Sequence, residues 1–373
     1  MQSSSVLFKS PDGTVIVIDI PCSLEEAQVL PGRDIARRIV SAPPQTTPWK
    51  TPEPKKDTAA AKYVSPSAAV AELMTLESVK SALEVVRAGY EGPWCLPRVT
   101  MRKRVNDAQA IGAGVNTDTT DTTQPQKRKH ELSSVPVEQG EEITSRISPY
   151  IPEQSNYLLG TIDSKRDAFL REAPLFDLVV LDPPWPSRSV KRKSDSYSTV
   201  HSTEEARELL SQIPIASHLK RDGLVAIWVT NKAVITDLLT APGGVLTQWG
   251  LEPLGEWIWL KTTSAGEPVL DVESAWRKPW ERLMIARKIG SLISLPMSRT
   301  VMIGVPDIHS RKPNLRGLFE DILPKDYIGL EVFARNPTAG WWSWGNEVLF
   351  FQQGHHWVPV ESEEATPDSE HVA

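Results

Sequence analysis

Runs of apolar residues that end in a polar side chain recur through the second half of the chain. Phe176–Leu181 is followed by Asp182, and Gly223–Thr230 is followed by Asn231. Such short, continuous apolar runs predict strands that are buried on both faces of a sheet. Four further runs, separated by helical or loop segments, lie at 256–261, 282–286, 300–305 and 328–334. Strands that alternate with helices or loops predict an α/β fold with a mostly parallel sheet.

Helical patterns occupy segments between these strands. Ser202–Glu205 has the sequence of a capping box and predicts the start of a helix. Apolar residues at three- and four-residue steps from Leu315 to Leu323 predict an amphipathic helix whose first turn holds Pro313. The same spacing predicts a helix over 67–90. The run Tyr157–Asp163 predicts a further short strand.

Composition divides the chain into five segments. Near the N-terminus a strand is predicted over Thr14–Ile20, followed by a helix that opens at Ser23. The next segment is rich in Pro, Thr and Lys and has little to bury, which predicts a linker. The expected segments are a small ordered piece (1–40), a linker (41–66), an accessory helical region with a basic, partly disordered part and a surface for a protein partner (67–154), the main domain (155–355) and a disordered tail (356–373).

Charge and cysteine content narrow the class of protein. The 373 residues carry a formal net charge of −6, so any nucleic-acid surface must be a local basic patch. Basic clusters at 101–104 and 126–130 indicate nuclear import or nucleic-acid contact, with a solvated loop as the alternative. Cys22 and Cys95 are the only cysteines, which favours a reducing compartment. Without a long apolar run or a secretory signal, no membrane association is expected.

The tetrapeptide Asp182-Pro183-Pro184-Trp185 carries the first candidate chemistry. Active-site groups of α/β sheets lie at the carboxyl ends of strands, and prolines leave their carbonyls free as acceptors. Asp182 and a proline carbonyl can accept both N–H bonds of an adenine N6 amine, so that its lone pair turns toward an electrophile. Trp185 can stack on the base, worth roughly 1–3 kcal/mol. The alternative is a strand end followed by a proline-rich turn.

Lys312 and Glu331 form the second group of candidate functional residues. A cation before a helix N-terminus is unfavourable for stability, so Lys312 indicates a bound carboxylate, with a solvated lysine as the alternative. Glu331 lies in the next strand, where Rossmann-type sites place the acceptor of ribose hydroxyls. A carboxylate anchor and a ribose acceptor together match S-adenosylmethionine. No glycine-rich dinucleotide motif or Walker lysine is found, and the histidines lack metal-ligand spacing, so no metal is expected.

These motifs occur in one order that resembles the eukaryotic adenine-N6 methyltransferase family, named after the seventy-kilodalton subunit of the mRNA enzyme. The resemblance covers about 155–353 and is faint over about 67–135. It implies a Rossmann-like, S-adenosylmethionine-dependent methyltransferase with permuted motif order, because the Asp182 strand precedes the cofactor strand. The motifs that carry it are Asp182–Trp185, Lys191–Arg192, Trp228–Asn231, Glu256–Lys261, Lys278–Glu281, His309–Pro313, Leu330–Asn336 and Trp344–Glu347.

The resemblance also implies roles for individual residues. Lys312 would hold the methionine carboxylate. The residues implied for the rest of the cofactor are Glu331, Asn346 and Glu347 on the ribose side, Arg335 and Asn336 in the same pocket, and Ile162 and Asp163 near the adenine. The residues assigned to the substrate are Lys191, Arg192, Tyr197, Asn231 and Lys261.

The implied reaction is methyl transfer to N6 of adenine in nucleic acid, with RNA favoured over DNA and the nucleus over the cytosol. The branch of the family that the motifs resemble most is associated with 2′-O-methyladenosine of a small nuclear RNA and with DNA adenine. One alternative is a catalytically inactive, nucleic-acid-binding partner of an active methyltransferase, against which the intact Asp182–Trp185, Lys312 and Glu331 argue. A second is methylation of another planar amine, such as cytosine N4 or a glutamine amide.

Overall fold

The computed structural model describes residues 4–50, 66–100, 148–186, 200–274, 277–297 and 299–360, except the side chains of residues 67 and 68. The predictions made for the two basic clusters, for Lys191, Arg192 and Tyr197, and for residues 361–373 lie outside these ranges.

The described residues form thirteen strands and eight α-helices. The strands are β1 (Val6–Lys9), β2 (Val15–Ile18), β3 (Arg37–Ser41), β4 (Val99–Thr100), β5 (Asn156–Leu159), β6 (Phe176–Leu181), β7 (Leu219–Val229), β8 (Leu251–Lys261), β9 (Trp280–Lys288), β10 (Arg299–Gly304), β11 (Gly329–Val332), β12 (Trp342–Gly345) and β13 (Trp357–Pro359). The helices are α1 (Ile20–Glu26), α2 (Pro66–Gly89), α3 (Ile162–Glu172), α4 (Thr203–Ser211), α5 (Ile215–His218), α6 (Ala233–Thr240), α7 (Val245–Gln248) and α8 (Arg316–Phe319), with short 3₁₀ turns at Phe350–Gln352 and Gly354–His356.

Ten strands make one twisted sheet, in the order β1-β2-β10-β8-β9-β7-β6-β11-β12-β5. Six of its nine pairings are parallel, whereas β1/β2, β7/β9 and β8/β9 are antiparallel. The predicted α/β fold with a mostly parallel sheet is therefore confirmed. A small second sheet has the order β13-β3-β4.

The neighbours β6 and β11 form the switch point of the sheet. After β6 the chain continues to β7 on one side, and after β11 it continues to β12 on the other. The loops that follow the two strands diverge at this point and leave a crevice at the carboxyl edge, where ligands of open α/β sheets bind. Because β6 comes first in the chain, the order is the permuted one that the motifs predict.

Strand β6 is buried along its whole length, as its continuous apolar sequence predicts. Val179 and Leu181 pack into the core beneath α4, α6 and α7, whereas Leu178 and Val180 pack into the core on the opposite face. The second core is rich in aromatic rings, and Trp257 stacks on Phe319 at a centroid distance of 4.8 Å. Both faces of the central sheet are therefore covered.

The N-terminal residues extend the main sheet. Strand β2 pairs in parallel with β10, and Val15 lies opposite Val301. The strand predicted through Ile20 ends earlier, because the Asp19 carboxylate accepts a hydrogen bond from Cys22 N and caps α1. That helix therefore begins at Ile20 rather than at Ser23.

Upstream of the main domain, α2 matches the helix predicted over 67–90. It buries Val79, Ala82, Leu83 and Val86 against the side of the sheet that holds β2, β8 and β10. The described part of the predicted linker is attached to the main domain as well, because Ala42 N donates to Asp307 and Trp49 N donates to Val269 O.

Three further boundaries differ from the sequence prediction. The helix expected over Leu315–Leu323 is a single turn, because Ile322 N bonds Phe319 O in a tight turn, although the predicted apolar residues still pack into the core. The strand expected through Asp163 ends at Leu159, because Thr161 accepts from Ser164 N and caps α3. Trp357–Pro359, which were expected in a disordered tail from residue 356, form β13 and pair with β3. None of the helices described here is long and apolar enough to cross a membrane.

A buried ion network attaches the N-terminal segments to the loop after β10. Asp307 accepts from Arg311 Nη1 at 2.7 Å and lies 3.6 Å from Arg98 Nη1, and all three side chains are at most 1% exposed. Arg311 also donates to Val40 O at 2.7 Å, and Arg98 donates to Val305 O at 2.9 Å. One carboxylate therefore neutralises two buried guanidinium groups and ties three distant segments together.

We expect Asp307→Asn to destabilise the fold by about 3–5 kcal/mol, because it leaves two buried cations without a counter-charge. The measurement is the free energy of unfolding from urea denaturation. The matched control is Asp321→Asn at the exposed Lys9–Asp321 pair, where both side chains are at least 48% exposed and a loss of about 1 kcal/mol or less is expected. Equal effects of the two substitutions would contradict a structural role for the buried network.

Candidate active site

Strand register places Asp182 and Glu331 on the same face of the crevice. Glu331 in β11 lies opposite Val180 in β6, and paired residues of parallel neighbours project from the same face. Side chains alternate along a strand, so Asp182, two residues after Val180, projects from that face too. Two acidic side chains thus share the carboxyl edge of the sheet at its switch point.

Lys312 connects Asp182 to a third carboxylate. Its Nζ donates to Asp182 Oδ2 at 3.0 Å and lies 3.1 Å from Glu281 Oε2. Lys261 Nζ, at the end of β8, donates in turn to Glu281 Oε1 at 2.5 Å. Because β9 runs antiparallel to β7 and β8, Glu281 near its start lies at the edge where those strands end. The four groups form a row of alternating charge, Asp182–Lys312–Glu281–Lys261.

The two central members of this row, Lys312 and Glu281, are held in their charged forms. Burial opposes the charge on Lys312, but Asp182 and Glu281 outweigh it and raise the pKa of Lys312 above its usual range. Burial also opposes the charge on Glu281, yet Lys312 and Lys261 lower the pKa of its carboxyl to about 2. At neutral pH Lys312 is therefore a cation and Glu281 an anion.

Glu331 has the opposite character. Burial, with the nearby negative charge of Asp182, raises its pKa to about 8, and the charge of Lys312 opposes the shift. At neutral pH its carboxyl is mostly protonated, so it can donate one hydrogen bond as well as accept. Strongly shifted groups in a cleft are typical of functional sites.

Trp185 is locked in place by hydrogen bonds. Its indole Nε1 donates to Trp228 O at 2.7 Å, and its backbone N donates to Pro183 O at 2.8 Å. The ring therefore has one orientation relative to the end of β7. Pro184 has no N–H, and within the described residues its carbonyl has no hydrogen-bond donor. An aromatic face and an acceptor thus stand next to Asp182.

The crevice is a narrow cleft flanked by two residues in the left-handed backbone region. Phe333, just after β11, has φ 62°, and Ser310, two residues before Lys312, has φ 72°. Neither is glycine, and such backbone conformations persist where the surrounding structure enforces them, often at ligand sites. The predicted site residues that line this cleft are Asp182, Lys312, Glu331, Arg335 and Asn336.

The other predicted site residues lie outside the cleft lining. Glu347 forms an ion pair with Arg335 at 3.2 Å, and Asn346 is exposed after β12. Ile162 is buried in the core at the start of α3, and Asp163 beside it is exposed. The predicted substrate residue Asn231 donates its amide Nδ2 to Trp280 O at 2.8 Å and joins the end of β7 to the start of β9.

Three residues of the site received no role from the sequence. Glu281 belongs to a quoted motif, but only the antiparallel direction of β9 brings its first residues to the carboxyl edge. Trp228 supplies the carbonyl that holds Trp185, and its ring lies 5.6 Å from Lys312 Nζ. Phe333 lines the cleft. A polar residue at the end of a strand marks the carboxyl edge for parallel strands but does not detect Glu281 at the start of the antiparallel strand β9.

Comparison with known proteins shows which family this chain resembles. The MT-A70 family model matches residues 176–347, which include Asp182, Lys312 and Glu331. The N6-methyladenosine RNA methyltransferase MTA1 of Cryphonectria parasitica is 46% identical and aligns over 96% of this chain and 95% of its own length. MTA1 of Pyricularia oryzae is 44% identical and aligns over 97% of this chain and 98% of its own length. The human N6-adenine-specific methyltransferase METTL4 is 35% identical over 57% of this chain and 45% of its own.

The chain therefore belongs to the MT-A70 family, as the order of its motifs indicates. It is an enzyme of the N6-adenine methyltransferase class. Among the residues described, no group of three His, Cys, Asp or Glu side chains has the arrangement of a metal site.

The raised pKa of Glu331 predicts a pH-dependent stability. A carboxyl whose folded-state pKa is raised stabilises the fold fully below its unfolded value of 4.5, and this contribution is lost as pH rises through about 8. The side chain in Glu331→Gln is neutral at every pH, so this variant lacks the pH-dependent contribution to stability. We expect the wild type to lose stability relative to this variant across that window, measured by urea denaturation.

The matched control is Glu84→Gln on the exposed side of α2, for which the difference from the wild type should stay constant across the same pH window. A pH-independent difference between the wild type and Glu331→Gln would show that Glu331 is ionised in the folded protein.

Proposed function

We propose that this enzyme transfers a methyl group from S-adenosylmethionine to N6 of adenine in RNA. The observation that supports this most is the geometry at the end of β6. Asp182 is held by Lys312, and Trp185 is locked by Trp228, next to the cleft that holds Glu331. An oriented acceptor, a fixed aromatic face and a polar cleft on one sheet edge are the parts that methylation of a planar amine requires.

Asp182 orients the substrate amine. Its Oδ2 accepts from Lys312, whereas its Oδ1 has no donor within the described residues and can accept one N6 hydrogen. A proline carbonyl beside it accepts the other, so the nitrogen lone pair turns out of the conjugated ring. Lys312 fixes the orientation of the Asp182 carboxylate, and the fixed ring of Trp185 stacks on the base. Catalysis then rests on positioning and on preorganised charge, without a strong base before attack.

The cleft residues fit the cofactor that the family generally uses. S-Adenosylmethionine supplies an electrophilic methyl group when bound. Lys312 has three N–H donors, of which Asp182 and Glu281 accept two, so a third remains for the methionine carboxylate. Glu331, with a pKa near 8, can both accept from and donate to ribose hydroxyls. Arg335 and Asn336 line the same cleft.

The remaining sequence assignments complete the proposed site. Glu347, paired with Arg335, and Asn346 lie where β12 ends beside β11, which supports a role on the ribose side. Ile162 and Asp163 begin α3 after the neighbouring strand β5 and are proposed for the cofactor adenine. On the substrate side we propose Lys261 and Asn231, together with Lys191, Arg192 and Tyr197.

RNA is favoured over DNA by the relatives that align over nearly the whole chain. Both MTA1 proteins are named as RNA methyltransferases and match 96% or more of this chain. Within RNA, the 2′-O-methyladenosine of a small nuclear RNA is the substrate that the METTL4 branch suggests, and it would place the enzyme in the nucleus. The segment 67–154 stays a proposed surface for a protein partner.

The first test is incorporation of labelled methyl groups from S-adenosylmethionine into small RNA, poly(A) RNA and genomic DNA. We expect the wild type to methylate RNA, and Asp182→Ala to lower kcat by about 10²–10³-fold or more, because the N6 acceptor is lost. Binding of S-adenosylmethionine, measured by calorimetry, should change little.

Each other outcome of the assay has a definite meaning. Activity in Asp182→Ala equal to the wild type would overturn the mechanism. Preferred methylation of DNA would overturn the choice of RNA. Incorporation into none of the three pools would favour the inactive, nucleic-acid-binding alternative.

A second test separates the two lysines of the charged row. Lys312→Met should weaken S-adenosylmethionine at least tenfold, because a charge-assisted hydrogen bond of about 1.5–3 kcal/mol is removed from its carboxylate. Lys261→Met should leave that affinity nearly unchanged and raise the KM for RNA. Calorimetry and initial rates measure the two effects, and thermal melting checks the fold. Unchanged cofactor affinity in Lys312→Met would remove Lys312 from the cofactor site.

A further inference from the structure

A second chamber lies on the other side of Lys312 from the cleft. It has a volume of about 270 Å³, and its walls include Trp49, Trp259, Lys261, His309 and Ser310. Ser310 and Lys312 line both spaces, and Lys312 Nζ is 3.0 Å from Asp182, so the chamber adjoins the reacting edge at these two residues. Ligand pockets start at roughly 300 Å³, so the chamber suits a single nucleotide unit rather than a longer segment.

Trp49 reaches this chamber from the N-terminal region. Its backbone N donates to Val269 O at 2.8 Å, and Val269 N donates to Lys261 O at 3.0 Å. Four residues earlier, Gln45 O accepts from Ser264 N at 2.7 Å. The main chain at Trp49 is thus fastened to the loop that follows β8, next to the lysine at the end of the charged row.

The indole of Trp49 is nevertheless 45% exposed. A single exposed apolar side chain is common on protein surfaces, so exposure alone indicates little. Here, however, the backbone is held by hydrogen bonds while the ring lines a concave space with a cation in its wall. Across the chamber, Trp259 is 2% exposed, and Lys261 Nζ lies 4.6 Å from the centre of its ring. An accessible aromatic face beside a cation, as Trp49 provides here, is a recurring recognition element for single-stranded nucleic acid.

We propose that Trp49 stacks on the base of a nucleotide that adjoins the target adenine in the substrate strand. The target base itself must contact Asp182, so a base on the far side of Lys312 belongs to a neighbouring nucleotide. The substrate site then includes a residue more than a hundred positions before the family match, which begins at residue 176. This inference rests on the proposed methylation of RNA.

The test compares Trp49→Ala and Trp49→Phe in the full chain, with single-stranded RNA oligonucleotides that contain one adenine. We expect Trp49→Ala to raise the KM for RNA about tenfold, since stacking on an aromatic ring is worth roughly 1–3 kcal/mol per base. The kcat and the Kd for S-adenosylmethionine should stay within about twofold of the wild type. Trp49→Phe should restore most of the affinity, because an aromatic face remains.

A matched control is Tyr157→Ala, which removes an aromatic side chain of similar exposure (40%) from the edge strand β5. Its KM for RNA should be unchanged. Thermal melting should show that neither Trp49 variant alters the fold, because the hydrogen bond from residue 49 to Val269 uses the backbone.

Abasic oligonucleotides identify the nucleotide that Trp49 contacts. If the stacked base adjoins the target, an abasic site at one of the two neighbouring positions should abolish the difference in KM between the wild type and Trp49→Ala. A tenfold penalty that persists with both abasic substrates would overturn the proposal, and so would an unchanged KM in Trp49→Ala.

Failure of the proposed function gives a different pattern. In that case the wild type would methylate no nucleic acid at all. If only the stacking contact is wrong, the wild type is active and the KM for RNA of Trp49→Ala equals that of the wild type. Fluorescence anisotropy of the labelled oligonucleotide then decides without turnover. A Kd about tenfold weaker in Trp49→Ala supports the stacking contact, and equal affinities overturn it.

Discussion

The ion contacts of Lys312 are the constraint on which the active edge of the sheet depends. Lys312 joins the loop after β10 to Asp182 at the end of β6 and to Glu281 at the start of β9. These side chains are only partly buried, and taking charges even partly out of water offsets much of their mutual attraction. The arrangement is therefore better understood as fixing the position of Asp182 than as a source of stability. The same lysine also lines both the cleft and the second chamber.

Two carboxyl groups near Lys312, those of Glu281 and Glu331, have opposite electrostatic characters. On one side Lys312 and Lys261 hold Glu281 ionised, with a pKa near 2. On the other side burial and Asp182 keep Glu331 largely protonated, with a pKa near 8. Phe333 adds a left-handed backbone conformation two residues after Glu331. Unfavourable terms of this kind concentrate where a ligand is to be bound, because the protein, rather than the ligand, supplies the organisation in advance.

The N-terminal region is structurally inseparable from the methyltransferase core in the residues described. Strand β2 adds to β10, α2 covers that side of the sheet, and Asp307 ties Arg98 to the loop that leads to Lys312. The family match begins only at residue 176, yet the fungal relatives align over nearly the whole chain. The extension of the sheet gives a physical reason for that wider similarity, since the segments before the match contribute to the same core.

Local sequence patterns predict the class of fold and several residues of the candidate site. Continuous apolar runs identified the buried strands, and the polar residues that follow them identified Asp182, while the order of motifs indicated the family. Glu331 and Lys312 were recognised from spacing, and both line the cleft with Asp182. These features depend on neighbours within one strand or one turn, which a linear pattern records.

Contacts between groups that are far apart in the sequence follow only from the tertiary structure. The partnership of Lys312 with Asp182 and Glu281 depends on strand order and on the antiparallel direction of β9. The helix expected over Leu315–Leu323 is a single turn in the structure, and Ile162, which was expected in a strand, is the first residue of α3. Trp49 lay in a segment that composition assigned to a linker, although its backbone is bonded to the loop after β8. Contacts of this kind join residues far apart in the chain, and their free energy depends on burial and on mutual distance, neither of which local sequence encodes.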